Sequence, residues 1–335
     1  MNILSVSSAS GSRWLAGLLL VALAGCKGGQ RADESTGADP GPIVVQLDWV
    51  AEPEHGGFYQ AEALGFFEDE GLDVTLVQGG ANAFVHQKIA TGQAQFGQSD
   101  STNTLLAIAE GLPLINVAAV FQHDPSVLML HQDNPISTFE ELDGKTIMAR
   151  PEWAFLAFLR QKYDIDFNVI PQNFGLAQFI ADPLFIQQGF YIAEPFFLER
   201  EGVTPKFLYA WDAGFDAYTV IIANRGFVER HPEATAAFLR AYMRGYRSYL
   251  TGDPAPAHAI MLRINPKVTP EYLDFSRGMI LSEQLATGPG GSIESVGVIS
   301  RDRFATQIEQ LESLKILRPG AVSADEVMLD PADPE

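Results

Sequence analysis

From residue 43 onward, apolar positions alternate between short strand-like runs and stretches with a helical period. IVVQLDW (43–49), LDVTLVQ (72–78), AQFGQS (94–99) and INVAAVF (115–121) have the length and the β-branched and aromatic content of strands. Between the first two, GFYQAEALGFFEDE (57–70) spaces its apolar side chains as a helix does and stops at Gly71. AFVHQKIATG (83–92) repeats this between the next two. Strands alternating with helices predict βαβ units and a parallel sheet. The pattern then restarts with SVLMLH (126–131), and Ser137 and Glu140 follow at capping-box spacing for a short helix. TIMA (146–149), FNVIP (167–171), GFYIAE (189–194) and KFLYAW (206–211) read as strands, with an amphipathic helix over 152–163. AYTVIIAN (217–224) is a further strand. Beyond it the chain turns almost wholly helical, and those helices are expected to cover the first sheet.

The residues ahead of this region follow another logic. The apolar run from Trp14 to Ala24 follows Arg13, is too short to span a bilayer comfortably, and leads into Leu23-Ala24-Gly25-Cys26. Residues 1–25 are expected to be a lipoprotein signal peptide. Cys26, the single cysteine, would be the lipidated first residue of the mature protein. An ordinary signal peptide with an incidental cysteine is the alternative. Residues 26–42 would then be the lipidated cysteine and a flexible tether, since KGGQRADESTGADPGP is polar and without apolar period. No later segment is apolar enough to span a membrane. The expected location is the bacterial cell envelope, periplasmic or otherwise extracytoplasmic, with the lipid on Cys26 holding a soluble domain to the bilayer.

Composition narrows the function. The 335 residues are 47% hydrophobic and 19% charged, which is globular and enough for one large or two medium domains. A net charge of −20 argues against nucleic acid and anionic headgroups as partners.

Ligands of open α/β sheets meet the C-terminal ends of strands and the turns after them. By that rule Trp49, His55 and Tyr59 of LDWVAEPEHGGFYQAE (47–62) form one candidate group. Trp49 could equally be a core aromatic, and His55 a structural turn histidine. Gly56 and Gly57 would open the following helix with its N–H groups toward the cleft. Ser99 and Asp100 close the third strand, where either can also be a plain N-cap. In the second half, Arg150 and Trp153 follow TIMA, and Tyr191 and Glu194 lie in YIAEP (191–195). Asp216 and Tyr218 are weaker candidates. The expected ligand-binding set is Trp49, His55, Tyr59, Ser99, Asp100, Trp153, Tyr191 and Glu194. Arg150 would matter as a clamp for a sulfonate or carboxylate. The positions hold more acid than base, which favours a neutral or cationic heterocycle. No catalytic residue, cofactor or metal is expected: G-x-S-x-G and P-loop motifs are missing, and the six histidines are scattered.

LDWVAEPEHGGFYQAEALGFFEDEGLDVTLVQGG, IATGQAQFGQSDSTNTLLAIAEGLPL, STFEELDGKTI, QQGFYIAEPFFLEREG and FVERHPEATAAFLRAYMRGYRSYL together resemble the substrate-binding proteins of ABC importers. The family is shared by alkanesulfonate binders and thiamine-pyrimidine synthases. The resemblance implies a two-lobed periplasmic-binding-protein fold of type II, each lobe a mostly parallel sheet flanked by helices, with the ligand in the cleft between them. It implies lobe 1 over 43–122 plus 217–335, lobe 2 over 123–216, and two crossings. It also implies a monomer that takes a small-molecule solute to ABC permease membrane subunits. Trp49, His55, Gly57 and Tyr59 look most like the branch that sandwiches pyrimidines of the thiamine-precursor type between aromatic rings. That branch usually has Pro-Asn where this chain has Ala51 and Glu52. An alkanesulfonate or taurine binder clamped by Arg150, a ligand sensor, or a pyrimidine-processing enzyme remain alternatives. For the last, the family's cofactor lysine falls at Ser99 and its sacrificial histidine at Asn103.

Overall fold

Two five-stranded sheets organise residues 39–329, which the computed structural model describes; the expected signal peptide, Cys26 and most of the tether lie outside them. The first sheet contains β1 (Ile43–Gln46), β2 (Val74–Val77), β3 (Phe96–Asp100) and β4 (Leu114–Phe121). The second contains β5 (Ser126–His131), β6 (Thr146–Ala149), β7 (Asn168–Pro171), β8 (Ile186–Phe190) and β9 (Pro205–Tyr209). A last strand, β10 (Thr219–Asn224), returns to the first sheet, giving the orders β2-β1-β3-β10-β4 and β7-β6-β8-β5-β9. All eight residues of β4 are buried, which is why its sequence is apolar throughout except for Asn116, whose amide donates to Val327 O, rather than an alternation.

Each sheet has four strands running one way and one reversed. β10 pairs antiparallel with β3 and β4, and β5 antiparallel with β8 and β9. The reversed strands are the two that begin just after the chain crosses between sheets. Crossing segments 122–125 and 210–218 both start from the C-terminal ends of strands, so the two sheets face each other with those ends. The segments are bonded to each other, Asp124 N–H donating to Ala217 O at 2.9 Å. One apolar cluster runs from Ile43 and Val45 through Val127 and Met129, so core packing is continuous from one sheet to the other.

Helices Gly56–Ala63 and Pro232–Thr251 pack on the first sheet at close range. A Cβ on Gly245 would sit 2.5 Å from Gly57 O and 2.7 Å from Ala61 Cβ, and one on Gly57 2.7 Å from Tyr246 Cβ. The helix does open at Gly56, but the glycine pair also has a packing reason: nothing larger fits against Tyr242, Tyr246 and Tyr249. Phe238 of the long helix stacks on Phe96 of β3 with centroids 3.9 Å apart. No helix among the described residues is long and apolar enough to cross a membrane.

Three local expectations are corrected. The strand expected over 189–194 lies at Ile186–Phe190 instead, and Glu194 is the first residue of helix Glu194–Arg200. Gln187 and Gln188 hid this strand, because their buried amides are polar in sequence yet bonded in the fold. Gln187 Nε2 donates to Gly175 O, and Gln188 Oε1 accepts from Arg150 N–H. The capping carboxylate after Ser137 is Glu141, which accepts from the N–H groups of Ser137 and Thr138, rather than Glu140. The helix expected over 57–70 breaks at Gly65, whose φ of +70° ends Gly56–Ala63 before Phe66–Asp69 starts.

Candidate functional site

The segment after β1 folds back so that two carboxyl groups share one buried imidazole. His55 is fully buried, with Nε2 3.0 Å from Asp48 Oδ1 and 3.3 Å from Glu54 Oε1, which assigns the ring hydrogen to Nε2. Glu52 accepts from the Tyr272 hydroxyl at 3.0 Å. Burial pushes the Glu52 carboxyl up, against the Tyr272 hydrogen bond and the nearby His55. Glu54 is held well above the ordinary carboxylate range, first by burial and then by Asp48, Glu52, Asp124 and Glu194. The charges that raise it are all negative, and the His55 imidazole lies against it. Among the described residues, Asp48, Glu54 and His55 are the one group whose donor atoms converge as metal ligands would, all within 4.8 Å. A cation on Nε2 would have to displace the hydrogen that bonds Asp48.

Glu194, at the start of helix Glu194–Arg200, feels the Glu52 carboxyl of the same cluster. Its Oε2 accepts from Phe190 N–H at 2.8 Å, and burial lifts its carboxyl to about 7 despite that bond. Asp124, on the first crossing segment, is raised to about 6 by burial and by Asp100, with Ser126 and Arg150 opposing.

Asp124 also lines a pocket between the strand ends of the two sheets. Asp100, Asp124, Asp216 and Arg150 provide its charges, and Trp153, Trp211 and Phe215 its flat walls. Trp153 precedes helix Ala154–Tyr163 and leans on Phe155 at 4.9 Å. Asp100 lines the pocket while capping helix Ser101–Ala109, its two oxygens accepting from Asn103 N–H at 2.8 Å and Asn103 Nδ2 at 2.7 Å. One residue thus both caps the helix and lines the pocket. Gln307 fixes the start of the same helix, accepting from Ser101 Oγ and donating to Thr102 Oγ1. Asp216 also lines the pocket, but its carboxylate is engaged by His123 at 2.7 Å and Arg303 at 3.1 Å.

Of the expected residues, the fold brings Asp100 and Trp153 into this pocket together with Arg150, and places His55 and Glu194 in the adjoining carboxyl cluster. Trp49 stands partly exposed, its ring 5.4 Å from Phe174 of the second sheet's 172–176 loop. Three others do not line the pocket. Tyr59 is 1% exposed on the core side of its helix, and Ser99 spends its hydroxyl on His86 Nε2 at 3.0 Å. Tyr191 is buried among Phe207, Tyr209 and Trp211. Tyr218 is likewise buried, its hydroxyl accepting from Ser300 N–H under the Arg303 guanidinium. Sequence reasoning passed over Asp124, Trp211 and Phe215 because they lie on the crossings, not on strand ends. The Asp-Pro of QHDPS (122–126) between two apolar runs was the available signal.

The sequence profile described as NMT1/THI5 like matches residues 52–257. The riboflavin-binding protein RibY of Chloroflexus aurantiacus is 25% identical over 253 residues, covering 72% of each chain. The formylaminopyrimidine-binding protein of Halalkalibacterium halodurans is 26% identical over 258 residues, covering 73% of this chain and 76% of that one. Proteins named as 4-amino-5-hydroxymethyl-2-methylpyrimidine phosphate synthases, one from Saccharomyces cerevisiae among them, match over a similar span. Among solved structures, the alkanesulfonate-binding protein SsuA of Xanthomonas axonopodis pv. citri bound to MOPS superposes with a TM-score of 0.64. It is 13% identical and covers 88% of this chain and 99% of that one. At that identity the likeness concerns the fold alone, and the fold is that of the periplasmic binding proteins.

Proposed function

This chain belongs to the NMT1/THI5-like family, and from that premise we propose that it is the solute-binding protein of an ABC importer. Its two sheets with their helices act as two lobes, 43–122 plus 217–335 and 123–216, closing on a solute that is passed to the permease. The solute is a flat nitrogen heterocycle, most closely a pyrimidine of the thiamine-precursor type. One observation carries the reading: a cluster of largely buried carboxyls, Glu52, Glu54 and Glu194, gathered about the His55 imidazole and held above the ordinary carboxylate range, adjoins a pocket walled by Trp153 and Trp211. Amino groups and ring N–H donors satisfy such carboxyls, and aromatic walls match a flat ring. A sulfonate would bring further negative charge beside Asp100 and Asp124, with Arg150 alone to offset it.

Binding is proposed over synthesis because Ser99 and Asn103 stand where the synthases of the resembling family carry a lysine and a histidine, and Ser99 Oγ is committed to His86. A lipid on Cys26 is proposed as the anchor. If so, Cys26→Ala moves the protein from the membrane pellet to the soluble fraction, and a mutant that still pellets like wild type refutes the anchor.

Calorimetric titration tests the ligand class. Riboflavin and a formylaminopyrimidine are the ring probes, set against an alkanesulfonate. The expected result is saturable binding of at least one ring probe, kept in Arg150→Ala, with no sulfonate heat. Tight sulfonate binding that disappears in Arg150→Ala would overturn the heterocycle reading in favour of an anion clamp.

A further inference from the structure

Away from the pocket, a helix of the second sheet meets a helix of the first along an aromatic seam. Helix Glu194–Arg200 follows β8 and is tied to the second sheet: Glu194 accepts from Phe190 N–H, and Leu198 is fully buried. Helix Pro270–Ser282 is tied to the first. Its Arg277 donates to Tyr249 O and Leu250 O of the long helix at 2.7 Å each, and its Tyr272 hydroxyl holds Glu52 after β1. Where the two helices touch, the Phe196 ring lies 5.4 Å from Tyr272 and 5.6 Å from Phe275, and Phe197 lies 5.1 Å from Tyr272. Charge frames these rings. The Arg200 guanidinium sits over Phe196 at 4.4 Å. Thr269 holds the Glu271 carboxyl below its ordinary value, and Arg200 adds to that effect from across the seam. None of the four aromatic residues lines the pocket. The seam also stands off from the crossings. Leu285, just past helix Pro270–Ser282, accepts from Gln122 N–H, whereas Tyr272 and Phe275 lie toward the other end of that helix, roughly 15–20 Å away at about 1.5 Å per residue.

We propose that Phe196, Phe197, Tyr272 and Phe275 form a clasp between the lobes that favours the closed state and so sets ligand affinity without touching the ligand. This rests on the two-lobed binding reading above and adds what holds the lobes together before a ligand arrives. Swinging the sheets apart parts the rings and bares Tyr272, which is 1% exposed here. Edge-on and tilted aromatic pairs add to the apolar area they bury, so the clasp biases the unliganded protein toward closure. Apparent affinity scales with the fraction of the protein that is closed. A clasp residue therefore acts alike on every ligand, whereas a pocket residue selects among them.

The test uses the full chain carrying Phe197→Ala or Phe275→Ala, one from each side of the seam. Tyr272 is left intact because its hydroxyl also holds Glu52. Leu281→Ala is the control: it is 39% exposed on the same helix, against 38% for Phe197, and its place nine positions after Tyr272 puts it on the opposite face. Small-angle X-ray scattering of each unliganded protein is read together with titration of the two ring probes. Both seam variants are expected to show a larger radius of gyration than wild type. Each probe that wild type binds should weaken by the same factor, about three- to tenfold, and a saturating probe should restore the wild-type radius. Leu281→Ala matches wild type in both measurements. Unchanged radii in both seam variants overturn the clasp, as does an equal expansion in Leu281→Ala. An expansion that leaves affinity intact overturns it too. If wild type binds neither probe, the heterocycle reading falls, and the scattering comparison still decides the clasp.

Discussion

Glu194→Gln raises the melting temperature at pH 8 and at the same time weakens binding of rings that bear an amino group. The stability half follows from linkage. The Glu194 carboxyl titrates at about 7 in the folded protein against an ordinary 4.5. Between those values the folded state keeps a proton that the unfolded state has lost. Stability therefore falls as pH rises from about 4.5 and levels off above about 7. The full cost is about 3 kcal/mol at one pH unit per 1.4 kcal/mol, an upper figure for a carboxyl that keeps some contact with solvent. Asp124, lifted from 3.8 to about 6, adds to the same slope. A neutral amide keeps an acceptor for Phe190 N–H and removes Glu194's share. Thermal melts at pH 5 and pH 8 check this: the variant should gain at pH 8 and gain nothing at pH 5. A shift of equal size at both values would show that ionisation of Glu194 is not the cause. The binding half is the counterpart, because the group that costs stability unliganded is the one offered to an amino donor. Its loss is expected to cost about tenfold or more on amino-bearing rings and little on rings without one.

Trp49→Ala acts without that selectivity. The indole offers area and a π-face to any ring, so both ring probes should weaken together, by about tenfold to a hundredfold. Its own packing is slight: it is partly exposed and meets Phe174, while its carbonyl accepts from Gly79 N–H whatever the side chain. Melting should move little. Calorimetry with both probes separates the possibilities, and loss of one probe alone would mean that the indole reads an edge rather than a face.

Most of the fold was legible because apolar period tracks burial. Strands such as β4 and β10 are mostly apolar runs, and helices such as Ala154–Tyr163 bury one stripe. β8 was displaced in the reading because IQQGF buries two glutamines whose partners, Gly175 and Arg150, are distant in sequence. The reversed direction of β5 and β10 leaves no trace in composition, since antiparallel and parallel neighbours want the same buried residues. In the site, the strand-end rule led to Trp49, Asp100, Arg150 and Trp153. It could not reach Asp124, Trp211 or Phe215, which meet only because two crossing segments lie side by side. Nor could it tell that Tyr59 and Ser99 lie off the pocket. A tyrosine on a first helical turn points to core or cleft according to which helix packs beside it, and here the Pro232–Thr251 helix encloses Tyr59's neighbours.

The bond from Asp124 N–H to Ala217 O has a mechanical consequence. Two bodies joined by a single strand can twist and swing freely. Joined by two strands that are themselves tied, they are left with rotation about the line through both, because torsion would stretch one strand against the other. The angle between the sheets then becomes nearly the sole coordinate of the molecule, and a transporter contacting both would sense one scalar: how far they have shut.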